Sequence, residues 1–253
     1  MQSASYHSLK NKIAYVTGGA GGIGEAISQS FAHNGTHVGI IDIDAGSAEK
    51  LAETLSRSGV KAEAVKCDLR DIDDLKSAFA HLKQTLGPAD ILVNNAAHDQ
   101  RHAWRDVTPD FWDERMAVNL RHMFFAIQTV APDMIAKLGG SIINFSSTSW
   151  KLKMSTLPAY TTAKAAVHGL TKSFQMELGK ANIRVNTVYP GWVMTARQKE
   201  LWFDEAGQKT LDEHQAMASL IQPEDIANLV MFLSADDSRF CTGAEFTCDG
   251  GWL

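Results

Sequence analysis

Short runs rich in Val and Ile alternate along the chain with longer stretches of helical period. Ile13–Thr17, His37–Asp42, Ala62–Val65, Ile91–Asn94, Ser141–Phe145, Ile183–Tyr189 and Glu245–Cys248 read as strands. Several are apolar at nearly every position, as expected of strands covered on both faces. Between them the pattern predicts helices over Ile23–Asn34, Ala45–Ser58, Asp71–Leu86, Asp110–Lys137, Pro158–Gly179 and Pro223–Leu233. Gly35, Gly59 and Gly87 follow three of these, where a left-handed cap residue is wanted. Thr108-Pro109-Asp110 gives an N-cap, a first-turn proline and an acid near the positive helix end. Gln222-Pro223-Glu224-Asp225 is a similar start without the preferred cap.

Such alternation means parallel strands joined by right-handed crossovers, a doubly wound α/β sheet. No linker or repeat interrupts it, so the chain reads as one domain over 1–253 with seven parallel strands and helices on both faces. Two segments stand apart. Met1–Asn11 is polar, lacks the apolar core of a signal peptide and reads as a frayed tail. Thr195–Leu220 is polar, carries Trp202 and Phe203, and lies outside the carboxyl ends of the strands, where ligands bind in such sheets. It reads as a substrate lid (195–220), with a plain surface helix pair as the alternative.

Composition narrows the function. Hydrophobic residues make up 45% of the 253 and charged residues 21%, which excludes bulk disorder. Lys+Arg number 24 against 29 Asp+Glu, a net charge of −5, so there is no basic excess to hold nucleic acid. No apolar run reaches the roughly 20 residues that span a membrane. Three cysteines, Cys67, Cys241 and Cys248, with no CxxC spacing suit a reducing, cytoplasmic setting and small core roles. His98 and His102 are four apart but lead from a strand into a loop with no third ligand near, so no metal is expected.

The first strand runs into Thr17-Gly18-Gly19-Ala20-Gly21-Gly22-Ile23-Gly24 and then directly into a helix. Glycines allow a tight turn and a close approach to pyrophosphate, and the helix start offers free N–H groups and partial positive charge. The second strand ends at Asp42, where an acid can bind the adenine ribose hydroxyls and repel a 2′-phosphate. With no Arg or Lys beside it, NAD is expected over NADP. Asp44 competes for this role, but Asp42 closes the apolar run.

Tyr160-Thr161-Thr162-Ala163-Lys164 puts a phenol and an amine on one helix face. A phenol with pKa about 10 is a poor base at neutral pH. A cation within about 4–6 Å favours its ionised form. Ser147 follows the strand Ser141–Phe145 and can donate to a substrate oxygen. Asn119 is an amide on an expected apolar helix face.

Taken in order, these pieces resemble the short-chain dehydrogenase/reductase family over about Lys12 to Trp252. They are Thr17–Gly24, Asn94-Asn95-Ala96-Ala97, Asn119, Ser147, Tyr160-x-x-x-Lys164, Pro190-Gly191-x-x-x-Thr195 and Asp249-Gly250-Gly251. The resemblance implies a Rossmann-like fold. It implies Tyr160 as general base, Ser147 on the reacting oxygen, Lys164 on the nicotinamide ribose and Asn119 anchoring a water that carries the proton out. It implies a cofactor surface of Gly18, Gly22, Ile23, Gly24, Asp42, Asp68, Leu69, Asn94, Ala96, Tyr160, Lys164, Pro190, Gly191, Val193 and Thr195, with Asp68 on the adenine and Thr195 on the carboxamide. Ala97 stands where the family usually has Gly, with little consequence expected.

The segments after Asn95 and Ser147, with the lid, supply Asp99, Arg101 and His102; Ser147, Ser149, Trp150 and Tyr160; and Trp192, Arg197 and Trp202. Polar groups beside aromatic planes suit a sugar better than a steroid or fatty chain. Asp99-Gln100-Arg101-His102, Ser147–Trp150, Pro190–Val193 and Gly250-Gly251-Trp252 also resemble a bacterial subgroup of aldose 1-dehydrogenases, the xylose- and arabinose-type enzymes. That implies oxidation of an aldose, an aldopentose first, at C1 to the lactone. The alternatives are an anionic sugar acid or other polar alcohol if Arg101, Arg105, Lys151, Lys153 and Arg197 cluster, a 3-oxoacyl carrier-protein reductase, and a non-catalytic cofactor sensor. Met116, Leu120, Phe124 and Ile127 spread apolar surface around a helix, which wants a second partner. A homo-oligomer is expected, a tetramer as the family implies.

Overall fold

Strands apolar at every position need cover on both faces, and the computed structural model, which describes residues 4–253, supplies it. Seven strands, β1 (Ile13–Thr17), β2 (His37–Asp42), β3 (Ala62–Lys66), β4 (Ile91–Asn94), β5 (Gly140–Phe145), β6 (Ile183–Pro190) and β7 (Glu245–Cys248), form one sheet. Their order is β3-β2-β1-β4-β5-β6-β7, and every neighbouring pair is parallel. The order reverses between β1 and β4, which opens a crevice at their carboxyl ends. The helices are α1 (Gly22–His33), α2 (Ala45–Ser56), α3 (Ile72–Thr85), α4 (Pro109–Met116), α5 (His122–Lys137), α6 (Pro158–Leu178), α7 (Ala196–Leu201), α8 (Glu205–His214) and α9 (Pro223–Ser234).

The core has two layers. Ile27 and Phe31 of α1, Leu51 of α2 and Ile226 and Val230 of α9 pack against one face of the sheet. Leu75 and Phe79 of α3, Ile127 and Met134 of α5 and Leu178 of α6 pack against the other. The sequence punctuation works as written. Thr108 Oγ1 accepts from Phe111 N–H at 3.2 Å to cap α4. Asp44 caps α2 through Ser47 N–H at 3.1 Å, which takes it out of competition with Asp42. Among the described residues no helix is long and apolar enough to cross a membrane, and no group of three His, Cys, Asp or Glu could hold a metal ion.

Three expectations need correction. The single helix Asp110–Lys137 is two helices joined by a π-turn, Ala117–Arg121. The wider turn takes fully buried Asn119 off an apolar face and gives its amide backbone partners. The expected frayed tail is anchored: Tyr6 N–H donates to Asn34 Oδ1 at 2.9 Å, Leu9 is 1% exposed, and Leu9 O accepts from Thr36 Oγ1 at 2.8 Å. Met1–Ser3 of that tail lie outside the described residues. Of the three cysteines expected in core roles, only Cys67 is buried, while Cys241 and Cys248 are half-buried.

Candidate active site

The turn after β1 is held by its own backbone. Gly18 sits at φ +62, a left-handed conformation that side chains resist. A side-chain carbon on Gly24 would lie 1.9 Å from Gly18 O. Asn95 stitches this turn to β4: its Nδ2 donates to Thr17 O and Gly18 O, both at 3.0 Å. Thr17 Oγ1 accepts from Asn95 N–H at 3.1 Å and Ala96 N–H at 3.2 Å. Asn95 thus shapes the turn, a role the sequence reading did not give it. Asn94 is fully buried and donates instead to Asn144 Oδ1 at 2.9 Å.

Helix α1 begins at Gly21 with no side-chain cap, and nothing lies within 4 Å of where a side chain on Gly21 would start. Free first-turn N–H groups facing open space fit a pyrophosphate. Asp42 stands against the same turn, its Oδ2 accepting from Ala20 N–H at 3.0 Å and its Oδ1 from Asp44 N–H at 3.1 Å. The residues present thus fit a dinucleotide. Asp68 is placed differently from a free adenine contact: Arg70 Nη2 lies 2.7 Å from its carboxylate and holds it below the usual range. Leu69 beside it is buried, as is Val193 on the opposite wall. Gly191 N–H donates to Cys248 O at 2.9 Å, fixing the Pro190-Gly191 bend, and Thr195 Oγ1 caps α7 through Gln198 N–H at 3.3 Å.

The second half of the site rises from the ends of β5 and β6. Lys164 is 1% exposed and its Nζ donates to Phe145 O at 2.8 Å, 5.7 Å from the Tyr160 ring centroid. Ser147 lies beside the Tyr160 phenol, and its Oγ accepts from Ser149 N–H at 3.1 Å. Ser146, the rival serine, donates to Lys164 O at 2.7 Å and so anchors α6 instead. Burial dominates the electrostatics. It raises the phenol above its ordinary range; the Asp99 charge adds to this, while Ser147, Arg101 and Arg197 oppose it. Burial likewise pushes Lys164 down to about 7, against the pull of Asp99. The lysine therefore does not by itself make the phenol acidic, because both groups lose water together.

Asn119 Nδ2 donates to Arg115 O at 3.0 Å and His98 O at 3.2 Å, and its Oδ1 accepts from His98 N–H at 2.9 Å. The amide thereby joins the π-turn to the loop after β4. His102 Nε2 accepts from Ala159 N–H at 3.1 Å, so this imidazole seats the start of α6. The Trp150 ring lies 6.3 Å from Tyr189 with Lys151 Nζ over it at 5.5 Å. Ser149 is buried. Asp99, Arg101, Trp192, Arg197 and Trp202 do come together: Arg197 Nη1 bonds Asp99 at 2.6 Å, and Arg101 covers the Trp202 ring at 5.0 Å. Trp192 meets Phe203 edge-on at 6.0 Å.

The chain is similar to known proteins over nearly its whole length. Residues 18–253 match a family model described as enoyl-(acyl carrier protein) reductase. D-xylose 1-dehydrogenase of Caulobacter vibrioides is 43% identical over 252 residues, covering 100% of both chains. The chain belongs to the short-chain dehydrogenase/reductase family. L-sorbose reductase from Gluconobacter frateurii, solved with NADPH and L-sorbose, superposes with a TM-score of 0.91 at 28% identity over 98% of each chain. A 7α-hydroxysteroid dehydrogenase solved with NADH superposes at 0.93 with 30% identity, over 100% of this chain and 98% of that one.

As a short-chain dehydrogenase/reductase the protein is an oxidoreductase acting on CH–OH groups. Two buried groups beside its site escaped the sequence reading. Arg115, 4% exposed, bonds the His98 ring and Glu114. His122 is fully buried next to Lys164, and burial pushes it down to about 3. For Arg115 the local pattern shows only its neighbour Glu114, since its other partner, His98, comes from the loop after β4. His122 could have been found as the second polar residue on the face that carries Asn119.

Proposed function

We propose that this protein is an NAD-linked dehydrogenase of a neutral sugar that oxidises the C1 hydroxyl of an aldose, an aldopentose first, to the lactone. The observations that carry this are two: Tyr160 with Ser147 and buried Lys164 at the ends of β5 and β6, and an uncapped helix start after β1 with the Asp42 carboxylate against the same turn. Tyr160 takes the hydroxyl proton, Ser147 donates to the sugar oxygen, and Lys164 holds the nicotinamide ribose. Asn119, held by Arg115 O and His98 O, anchors the water that carries the proton out. When bound, oxidised nicotinamide supplies the hydride acceptor and a positive charge. Burial keeps the phenol protonated in the bare protein. The site therefore becomes basic when cations gather around it.

Asp42 supports NAD, because a 2′-phosphate would meet a carboxylate followed by Ile43 rather than by a cation. The sugar-acting relative and neighbour support the substrate class. An anionic sugar acid would need clustered cations, but Lys151 is paired with Glu245 at 2.7 Å, Arg105 stacks on Trp104 at 4.3 Å, and Arg101 and Arg197 share the Asp99 carboxylate, which cancels one of their charges. A 3-oxoacyl carrier-protein reductase is the remaining alternative. We also place the enzyme in the cytoplasm, consistent with three free cysteines. We read it as a homotetramer through α5 and α6, where Phe124 is 42% and Met176 73% exposed.

Purified protein with NAD or NADP is assayed for reduced nicotinamide against aldoses, sugar acids and acyl thioesters. Aldose turnover with NAD is expected. A higher kcat/KM with NADP overturns the cofactor assignment, and turnover of acyl thioesters alone overturns the substrate. A monomer by sedimentation at micromolar concentration overturns the tetramer.

A further inference from the structure

The loop after β4 carries Asp99, and only 18% of its side chain is exposed. One oxygen accepts from Arg197 Nη1 at 2.6 Å and the other from Gln198 Nε2 at 2.9 Å, both on α7. Arg101 Nη1 lies 3.9 Å away. Gln198 Oε1 in turn accepts from Trp192 Nε1 at 3.0 Å, which ties α7 to the bend after β6. One carboxylate therefore joins the nucleotide side of the cleft to the segment 195–220. Helix α7 has six residues, too few to stand without such contacts.

We propose that Asp99 is a positioning residue: it latches α7 over the Tyr160 site and sets a fixed negative charge between Arg101 and Arg197 there. A carboxylate offers about four lone-pair positions, so two donors from α7 leave places for hydroxyl groups of an uncharged substrate. The carboxylate also cancels one of the two positive charges of Arg101 and Arg197, so an anionic substrate gains less there than the arginines alone would give it. This rests on the reading of the site as one that oxidises a neutral sugar.

A second consequence separates a charged latch from a merely structural one. The charged and titratable groups around Tyr160 are Lys164 on its own helix, His122 on α5, His98, Asp99, Arg101 and His102 on the loop after β4, and Arg197 on α7. Asp99 opposes ionisation of the phenol, whereas Arg101 and Arg197 favour it. Asp99→Asn removes the opposing charge, so the ascending limb of kcat moves to lower pH. Arg197→Met removes a helping charge and leaves Asp99 less compensated, so that limb moves to higher pH.

The NAD-loaded enzyme is compared with D99N, R197M and the double variant, using its best aldose. Each single change raises sugar KM about tenfold or more, and the double variant is no worse than either, as partners in one interaction require. The two pH limbs move in opposite directions. With NAD and no sugar, hydrogen exchange across 195–202 rises in both variants and stays unchanged in K199A, while exchange across β1 and β4 stays slow. Additive KM losses, limbs that move together, or unchanged exchange at 195–202 each overturn the latch. If wild type oxidises no aldose, the substrate reading falls while the exchange measurement still decides the latch.

Discussion

The Thr17–Gly24 turn and the Thr195–Leu220 segment meet across the cleft: a side-chain carbon on Gly22 would lie 3.1 Å from Thr195 Cγ2. They are built from opposite materials. The turn is backbone, and its shape follows from which residues have no side chain and from two asparagine amide bonds to main-chain oxygens. The segment is held by side chains, among them a charged pair 98 residues apart in sequence, Asp99 and Arg197, and aromatic contacts such as Trp192 on Phe203. Steric constraints on neighbouring residues tolerate little substitution. A charged pair works only while its partner, its burial and its protonation persist. Nucleotide binding should therefore be robust to charge changes and intolerant of added atoms, and the chemistry should be the reverse.

Tyr160→Phe separates the two most widely. It removes one oxygen from the chemistry and nothing from the turn. Loss of a positioned acid–base group costs roughly 10²–10⁴-fold in rate. We expect kcat to fall by about that factor, with the NAD Kd unchanged by calorimetry. Near-normal turnover would remove the phenol from the mechanism.

Gly24→Ala attacks the other side. The new carbon meets Gly18 O at 1.9 Å, so the turn must open. Forced overpacking costs about 1–3 kcal/mol, which is roughly 10–100-fold in NAD Kd. Once NAD is saturating, kcat should largely recover. A wild-type Kd would mean that the cofactor does not use this turn. Asp42→Ala probes one charge at the edge of the same region. Its kcat/KM ratio of NAD over NADP should fall by roughly tenfold, about 1.4 kcal/mol, and an unchanged ratio would shift cofactor choice to another residue.

The same contrast explains what could be read from the sequence. The strand, helix and glycine-turn positions rest on period and local sterics, and apart from the π-turn that divides Asp110–Lys137 the structure keeps them to within a residue or two. Asn95, His102 and Trp150 could not be assigned locally. Asn95 and Asn94 are alike in sequence, and only the register Thr17↔Asn94 at the strand ends decides which one reaches the turn. His102 reads as a polar loop residue until Ala159, 57 residues on, needs an acceptor. The tail read as frayed because its anchors, Asn34 and Thr36, lie beyond the first helix. Tyr160 and Lys164 were visible by spacing. Their electrostatics were not, since spacing carries no information about lost water.

His122 lies beneath the boundary of the two regions and gives the smallest and most specific test. It is fully buried beside Lys164. Its native value is lowered to about 3 by burial first and by Lys164 second. Between there and the ordinary imidazole value near 6.5, the unfolded chain binds a proton that the folded chain refuses. Stability from this group is thus complete above about 6.5 and falls as the solution is acidified. The loss is on the order of 1 kcal/mol by one pH unit below that value. Urea unfolding of wild type and His122→Asn between neutral and mildly acidic pH measures the difference directly, and surface pairs such as His81–Glu63 are common to both and cancel. The variant should start less stable and lose less on acidification. Parallel curves would mean that this imidazole protonates in the native state, and Lys164 would then share its pocket with a second cation.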